Sequence, residues 1–235
     1  MNFFKKSYSS KVVLIASIIG GVLGVYFFMA ADKPYKIDQY SSNSVKNEQS
    51  KSHRNTGKIS DKFPNIVLQT QHGQFVHFYD DLVKDKTVII NFMYTRCDGI
   101  CGPSTFNLRK VYKELGNRVG KSTVMLSISL DPANDSPENL RKYIELHGGE
   151  KKGWLYLTGD YDEIDDLRHT LGVYDPDPII DANKSEHSGL VTFGSDTTNF
   201  WSALPALMKS EEIAETILRL TRDRSHGYKP YRNSI

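Results

Sequence analysis

The run Thr87-Val-Ile-Ile-Asn-Phe-Met93 constrains this chain more than any other stretch. Its apolar residues are continuous rather than alternating, the pattern of a strand covered on both faces. Ser122 to Leu130 (STVMLSISL) is a second run of the same kind. Between them Leu108, Val111, Tyr112 and Leu115 recur at helical spacing, and Gly116 is a natural stop. Strand, helix, strand in this order predicts a layered α/β fold with a partly parallel sheet.

The flanking sequence extends the pattern. Phe63 to Leu68 and Gln74 to Phe78 read as short strands around His72-Gly73, a hairpin. Asp131 to Pro137 (DPANDSP) punctuates the chain, and Ser136 or Asp135 can cap a helix that has Pro137 in its first turn. That helix runs to about His147 and stops at Gly148-Gly149. Trp154 to Leu157 is a strand, and Asp162 to Leu171 a helix. Leu190 to Phe193 and Phe200 to Leu204 form a hairpin around Gly194-Ser195-Asp196. Glu211 to Leu220 closes the domain as a helix with Ile213, Ile217 and Leu220 on one face. A terminal hairpin followed by a helix is the thioredoxin arrangement, so a thioredoxin-like fold is expected, with a central mixed sheet flanked by helices.

This domain is expected over residues 61–222 and is acidic, with 17 basic and 23 acidic side chains in residues 63–222. The net charge of +2 is produced by the basic flanks. Nucleic-acid binding needs clustered positive charge on the folded part, so the distribution argues against such a partner. Val12 to Ala30 is uncharged and predominantly apolar, long enough to cross a bilayer, and it follows Lys5, Lys6 and Lys11. Residues 1–31 are therefore expected to be a membrane anchor with a cytoplasmic N-terminus, making this a single-pass inner-membrane protein whose domain lies on the exported, periplasmic side. A cleaved signal peptide ending near Ala30-Ala31 is the competing expectation, and it exports the domain equally. Residues 32–60, rich in Ser, Asn, Lys and Gln, read as a flexible linker, and 223–235 as a basic tail.

The chain has only two cysteines, Cys97 and Cys101, in Tyr94-Thr-Arg-Cys-Asp-Gly-Ile-Cys-Gly-Pro-Ser104. The segment follows the first buried strand and precedes the first long helix. Sites in open α/β sheets collect at the carboxyl ends of strands, and a helix N-terminus there favours thiolate. Thioredoxin-type redox pairs are C-x-x-C, and here three residues intervene. A peroxiredoxin-type P-x-x-x-T-x-x-C is also absent, because Ile90 and Tyr94 stand at the Pro and Thr positions. Cysteines four apart around a helix start can direct both sulfurs to one point, as a metal chelate needs, while a disulfide stays open. Thiolates select soft ions such as Cu(I), and imidazole suits copper and zinc.

A third ligand is then sought among the histidines. His72 and His77 belong to the early hairpin, with surface or satisfied roles. His147 ends a helix, where a cation suits the macrodipole. His169 is expected to face water from its helix, and His226 from the tail; His53 lies in the linker. His187 stands apart. It ends the turn-rich acidic stretch 175–186 and immediately precedes a strand.

Three motifs resemble the SCO/SenC family of copper chaperones in cytochrome c oxidase assembly. Tyr94 to Cys101 is similar to the family's C-x-x-x-C segment, Asp131-Pro132 with Asp135-Ser136-Pro137 to its D-P-x-x-D-T-P, and Glu186-His187-Ser188 to its D-H-S. The resemblance implies that copper, Cu(I) or Cu(II), is held by Cys97, Cys101 and His187. It also implies a metallochaperone role toward the CuA-bearing subunit II of a haem–copper oxidase, with a copper donor protein or thiol reductant as a further partner. The alternative is a thiol–disulfide oxidoreductase that uses Cys97 and Cys101 to keep the CuA-site cysteines reduced. A structural zinc module is the third possibility. Two departures stand out: Gly102 follows the second cysteine where the family usually has Pro, and Glu186 replaces Asp. Asp135 is read as a helix cap rather than a participant in metal transfer.

Overall fold

The computed structural model describes residues 55–183 and 189–221. The expected anchor, most of the 32–60 linker, His187 and the tail lie outside these residues. Among the described residues no helix is long and apolar enough to cross a membrane.

Among the described residues seven strands and five helices follow one another as β1 (Val67–Thr70), β2 (Phe75–His77), β3 (Thr87–Met93), α1 (Cys101–Leu115), β4 (Thr123–Ser129), α2 (Pro137–Leu146), β5 (Trp154–Gly159), α3 (Tyr161–Thr170), α4 (Pro178–Asp181), β6 (Leu190–Ser195), β7 (Phe200–Pro205) and α5 (Ser210–Leu220). They form one mixed sheet in the order β2-β1-β5-β4-β3-β6-β7. β3, β4 and β5 are parallel neighbours, while β6 runs antiparallel to β3 and β1 antiparallel to β5. The mixed α/β architecture expected from the sequence is therefore present.

The strand alternation sorts the core into two layers. Val88, Ile90 and Phe92 of β3 join Val124, Leu126 and Ile128 of β4 under Ile164 and Leu167 of α3. Ile89 and Met93 point the other way, into a layer closed by Leu108 and Val111 of α1, Leu140 and Ile144 of α2, and Ile213 and Ile217 of α5. Asn91 interrupts the apolar run on that second face. Its Oδ1 accepts from Ser127 Oγ at 2.8 Å, and Ser127 Oγ accepts from the Trp154 indole N–H at 2.9 Å. A buried polar group without partners would cost about 1–3 kcal/mol; this chain of bonds removes that cost.

Three local expectations are corrected. The first strand lies at Val67–Thr70 rather than Phe63–Leu68, and Phe63 instead buries its ring edge-on against Trp201 at 4.5 Å. The second strand ends at His77, where the chain enters a wide π-turn, Phe78–Val83. That turn is held by Asn65, whose Oδ1 accepts the Tyr79 and Asp80 amides. The folded part also begins before residue 61. Ile59–Lys62 form a 3-10 turn, Lys58 pairs with Asp196 at 2.9 Å, and the Ser60 hydroxyl donates to the same carboxylate.

Candidate metal and thiol site

The cysteine loop leaves the carboxyl end of β3 and is fixed from below by the Asp131–Pro137 segment. The Asp135 carboxylate has no solvent exposure. It accepts from the Thr95 amide at 3.1 Å, from Thr95 Oγ1 at 2.5 Å and from Ser129 Oγ at 2.5 Å. Asn134 and Asp135 both donate their amides to the Asp131 carbonyl at 2.9 Å, and Arg96 of the cysteine loop donates to the Asn134 side chain. The cap of α2 is Ser136, whose Oγ accepts from the Asn139 amide at 3.3 Å. Asp135 is thus not the cap that its sequence position suggested; it is the buried peg on which the cysteine loop hangs.

Cys97 and Cys101 are not joined in a disulfide, the first half-buried and the second with 1% exposure. Cys101 opens α1, a fifteen-residue helix with no acidic residue in its first turn and no side-chain cap at Ile100. The positive end of the helix therefore stays available to a thiolate. Burial pushes the Cys97 thiol up, but hydrogen bonds from the Cys101 side chain, the Cys101 and Gly99 amides and the Tyr94 hydroxyl outweigh it and hold Cys97 below its ordinary value. Burial and the neighbouring negative charge of Cys97 push the Tyr94 hydroxyl up to about 12, so it remains a donor at neutral pH. The Cys101 side chain hydrogen-bonds to Cys97, and Cys97 is the less buried of the two.

On the α2 side, the Tyr143 hydroxyl shares a 2.8 Å bond with Thr105 Oγ1 and donates to the Cys101 carbonyl at 3.3 Å. His147 stacks on Tyr143 with ring centroids 3.9 Å apart, and its Nδ1 lies 2.8 Å from the Tyr143 carbonyl oxygen. A Cβ at Gly102 would meet His147 Nε2 at 3.7 Å, an ordinary contact, so space does not demand glycine there. His72 pairs with Glu150 at 2.6 Å, His77 lies 3.6 Å from Asp81, and His169 lies 3.2 Å from Asp181. His169 is exposed to water, as expected from its helix, with its ring stacked on Tyr174. Among the described residues no three His, Cys, Asp or Glu side chains are grouped to hold a metal ion.

Fold and site together define a class: a mixed α/β domain carrying two cysteines at the carboxyl end of a central strand, beside a helix N-terminus. The sequence model of the SCO1/SenC family matches residues 53–222, and the chain belongs to that family. Protein sco1 of Schizosaccharomyces pombe is 32% identical over 121 residues, which cover 51% of this chain and 44% of that one. The SCO1 homologue of Bacillus subtilis is 30% identical over 94 residues, 40% of this chain and 47% of its own. The match thus spans about half the length of these relatives. The crystal structure of yeast Sco1 superposes with a TM-score of 0.53 at 23% identity, covering 70% of this chain and 94% of that one. Bradyrhizobium japonicum ScoI with copper bound gives 0.51 at 24%, covering 66% and 96%. At these identities the structures establish the shared fold.

Proposed function

We propose that this protein binds one copper ion, Cu(I) or Cu(II), through Cys97, Cys101 and His187, and delivers it during assembly of the CuA centre in subunit II of a haem–copper oxidase. The reading rests on the thiol pair, lowered at Cys97 and free of a disulfide, in a chain whose family includes copper-bound ScoI. Gly189 supports the third ligand. It lies two residues after His187, its carbonyl accepts from the Ala206 amide at 2.8 Å, and a Cβ on it would sit 3.4 Å from Ile100, the residue preceding Cys101. The chain therefore passes beside the cysteine helix just after the histidine. An N-terminal anchor over 12–30 would hold the domain on the exported face of the inner membrane, where a copper donor or thiol reductant would meet it.

Copper is cargo in this scheme. Cys101 is buried and Cys97 half-open, so exchange with the acceptor's thiolates begins at Cys97. A thiol-reductase role is the second reading and draws on the same lowered thiol. The Cys97 thiolate attacks a disulfide sulfur of the acceptor and expels one acceptor thiolate. Cys101 then displaces the second, leaving an acceptor dithiol and a Cys97–Cys101 disulfide. Two electrons pass to the acceptor, and an external dithiol must restore the pair.

Copper stoichiometry and spectra of the reduced full-length chain test the proposal. One ion per chain is expected, with loss in Cys97→Ser and in Cys101→Ser. A His187→Ala form that bound copper as tightly as wild type would overturn the three-ligand site. Disulfide exchange that persists in His187→Ala and vanishes in Cys97→Ser would favour the reductase.

A further inference from the structure

The net negative charge of the folded part is concentrated in one stretch. Residues 160–183 carry eight acidic side chains against Arg168 alone, a net of −7, while residues 63–222 as a whole carry 17 basic and 23 acidic ones. The rest of the domain is thereby left close to neutral. The same stretch exposes large apolar side chains: Tyr161 at 52%, Tyr174 at 50%, Ile179 at 83% and Ile180 at 44%. Single exposed hydrophobics are ordinary, whereas a group of them rimmed by polar residues marks a contact surface. Hydrogen bonds gather this group. Arg168 Nη1 and Nη2 donate to Asp181 at 2.6 and 2.8 Å, which ties α4 to α3. The Asp175 amide donates to Asp181 at 2.8 Å, and the adjacent Tyr174 ring stacks on His169 of α3 at 5.0 Å. Tyr161, at the start of α3, lines a small cavity together with Asp181, Ala182 and Leu130. Asp175 and Asp177 each accept an amide two residues on, at 2.8 Å, and so hold the turns that present Ile179 and Ile180. An apolar surface held in place this way loses little conformational freedom when it is covered.

The surface lies at the same edge of the sheet as the cysteine loop. Leu130, just past β4, donates its amide to the Met93 carbonyl at 2.8 Å, and Met93 ends β3. Tyr161 follows β5, and β3, β4 and β5 are parallel neighbours. A strand spacing of about 4.8 Å sets the carboxyl ends of β3 and β5 about 10 Å apart. An ordinary protein interface covers about 800 Å² on each partner, a disc about 30 Å across. A protein that engages Cys97 is therefore wide enough to cover this surface as well.

We propose that Tyr161, Tyr174, Ile179 and Ile180, with Asp162, Asp175 and Asp177 around them, form the docking surface for the protein that exchanges copper or thiols at Cys97, and that this partner presents a basic, apolar face. The inference rests on Cys97 being the exchange site, which both readings above share. Charge complementarity selects the occupant. An acidic rim repels acidic surfaces and steers basic ones, and such steering raises association rates about tenfold or more at low salt. A second copy of this domain would set like charge against like charge on the same surface.

The test uses two synthetic peptides that carry a cysteine pair, one flanked by lysines and leucines, the other by glutamates and leucines. Offered as disulfides, they are reduced by the reduced full-length chain; offered as dithiols, they take Cu(I) from the copper-loaded chain. The lysine peptide should react about tenfold faster than the glutamate peptide at low salt, and most of that lead should vanish in about 0.5 M sodium chloride. Asp162→Asn/Asp175→Asn/Asp177→Asn keeps side-chain acceptors at the turns and should cut the lead to about twofold. Its melting temperature and its copper affinity by chelator competition should stay at wild-type values. Ile179→Ser/Ile180→Ser should slow the lysine peptide about threefold without changing its salt dependence. Glu114→Gln/Glu212→Gln/Glu215→Gln removes the same charge from exposed sites on α1 and α5 and should leave the lead intact. A full lead in the aspartate variant, an equal loss in the glutamate variant, or no lead in wild type would overturn the docking surface. Copper bound by a wild-type chain that shows no lead would remove this inference alone. A chain that reduces the peptides with the expected lead but takes up no copper would remove the copper reading and sustain the docking surface. A chain inert in both arms would remove Cys97 as the exchange site, and this inference with it.

Discussion

Asp135 and Asp196 are both wholly buried, yet the two ends of the sheet treat them differently. Asp196, in the turn after β6, meets the Lys58 ammonium at 2.9 Å, the Ser60 hydroxyl, the Asp85 amide at 3.0 Å and the Tyr79 hydroxyl at 3.4 Å. Asp135, under the cysteine loop, receives only the amide and hydroxyl of Thr95 and the hydroxyl of Ser129. Among the described residues no Lys, Arg or His pairs with it. The first carboxylate is neutralised and fastens the incoming chain to the sheet. The second orients the cysteine loop through neutral donors alone. Burial first, then a hydrogen bond from Thr105 that opposes it, and then the charges of Cys101, Cys97 and Asp135 set the Tyr143 hydroxyl, which ends up raised to about 12.

The sharpest way to break this contrast is Asp196→Ala, which leaves Lys58, Ser60 and the Asp85 amide without their acceptor. It should cost about 3 kcal/mol in urea unfolding, the low end for a broken buried pair because Lys58 is 31% exposed. The reactivity of Cys97 toward iodoacetamide should not change. Acid unfolding adds a sign to the same residue. Burial raises the Asp196 carboxyl, but hydrogen bonds from Ser60, Asp85 and Lys58 outweigh it and hold the group below 3.8. Its stabilisation is therefore complete above the unfolded value and fades as pH falls through the lower folded one. Asp196→Asn should remove that share of the acid sensitivity, seen as a shallower stability profile below about pH 4.

Asp135→Asn should be milder in stability, about 1–3 kcal/mol, since one acceptor becomes a donor among Thr95 and Ser129. Unlike any change at Asp196, it should alter the alkylation rate of Cys97, because the loop loses its peg. An unaltered rate would mean that the loop holds its shape without the carboxylate. Ser136→Ala removes only the α2 cap, costing about 1 kcal/mol by chemical denaturation and leaving the thiols as they were. Tyr94→Phe should have the smallest effect on folding. It deletes a donor to the Cys97 thiolate, so the alkylation midpoint should move to higher pH.

Much of the architecture was legible because its signals are local. The apolar runs 87–93 and 122–130 and the helical spacing from Leu108 to Leu115 appear where the sequence put them, and the closing hairpin is present with its turn shifted past Ser195. The misplacements at Phe63–Leu68 and Phe78 share a cause. Phe63 is apolar without being in a strand, because a neighbouring sheet edge offers Trp201 to pack on. Asn65 bends residues 78–83 through side-chain bonds that no periodicity encodes. The short helix α4 within the acidic stretch was likewise invisible, since Arg168 is what makes it worth forming.

By itself, the sequence determined that two thiols stand four residues apart at a strand-to-helix junction, and that an acidic α/β domain carries them. Strand and helix periodicities are set by neighbours along the chain, so they survive reading in one dimension. Only the folded chain decided which acid holds the cysteine loop, that Ser136 rather than Asp135 caps α2, and that Arg168 binds an aspartate thirteen positions away. Those choices depend on which groups lose water together, and burial is a property of the packed sheet and its helices, not of any single segment.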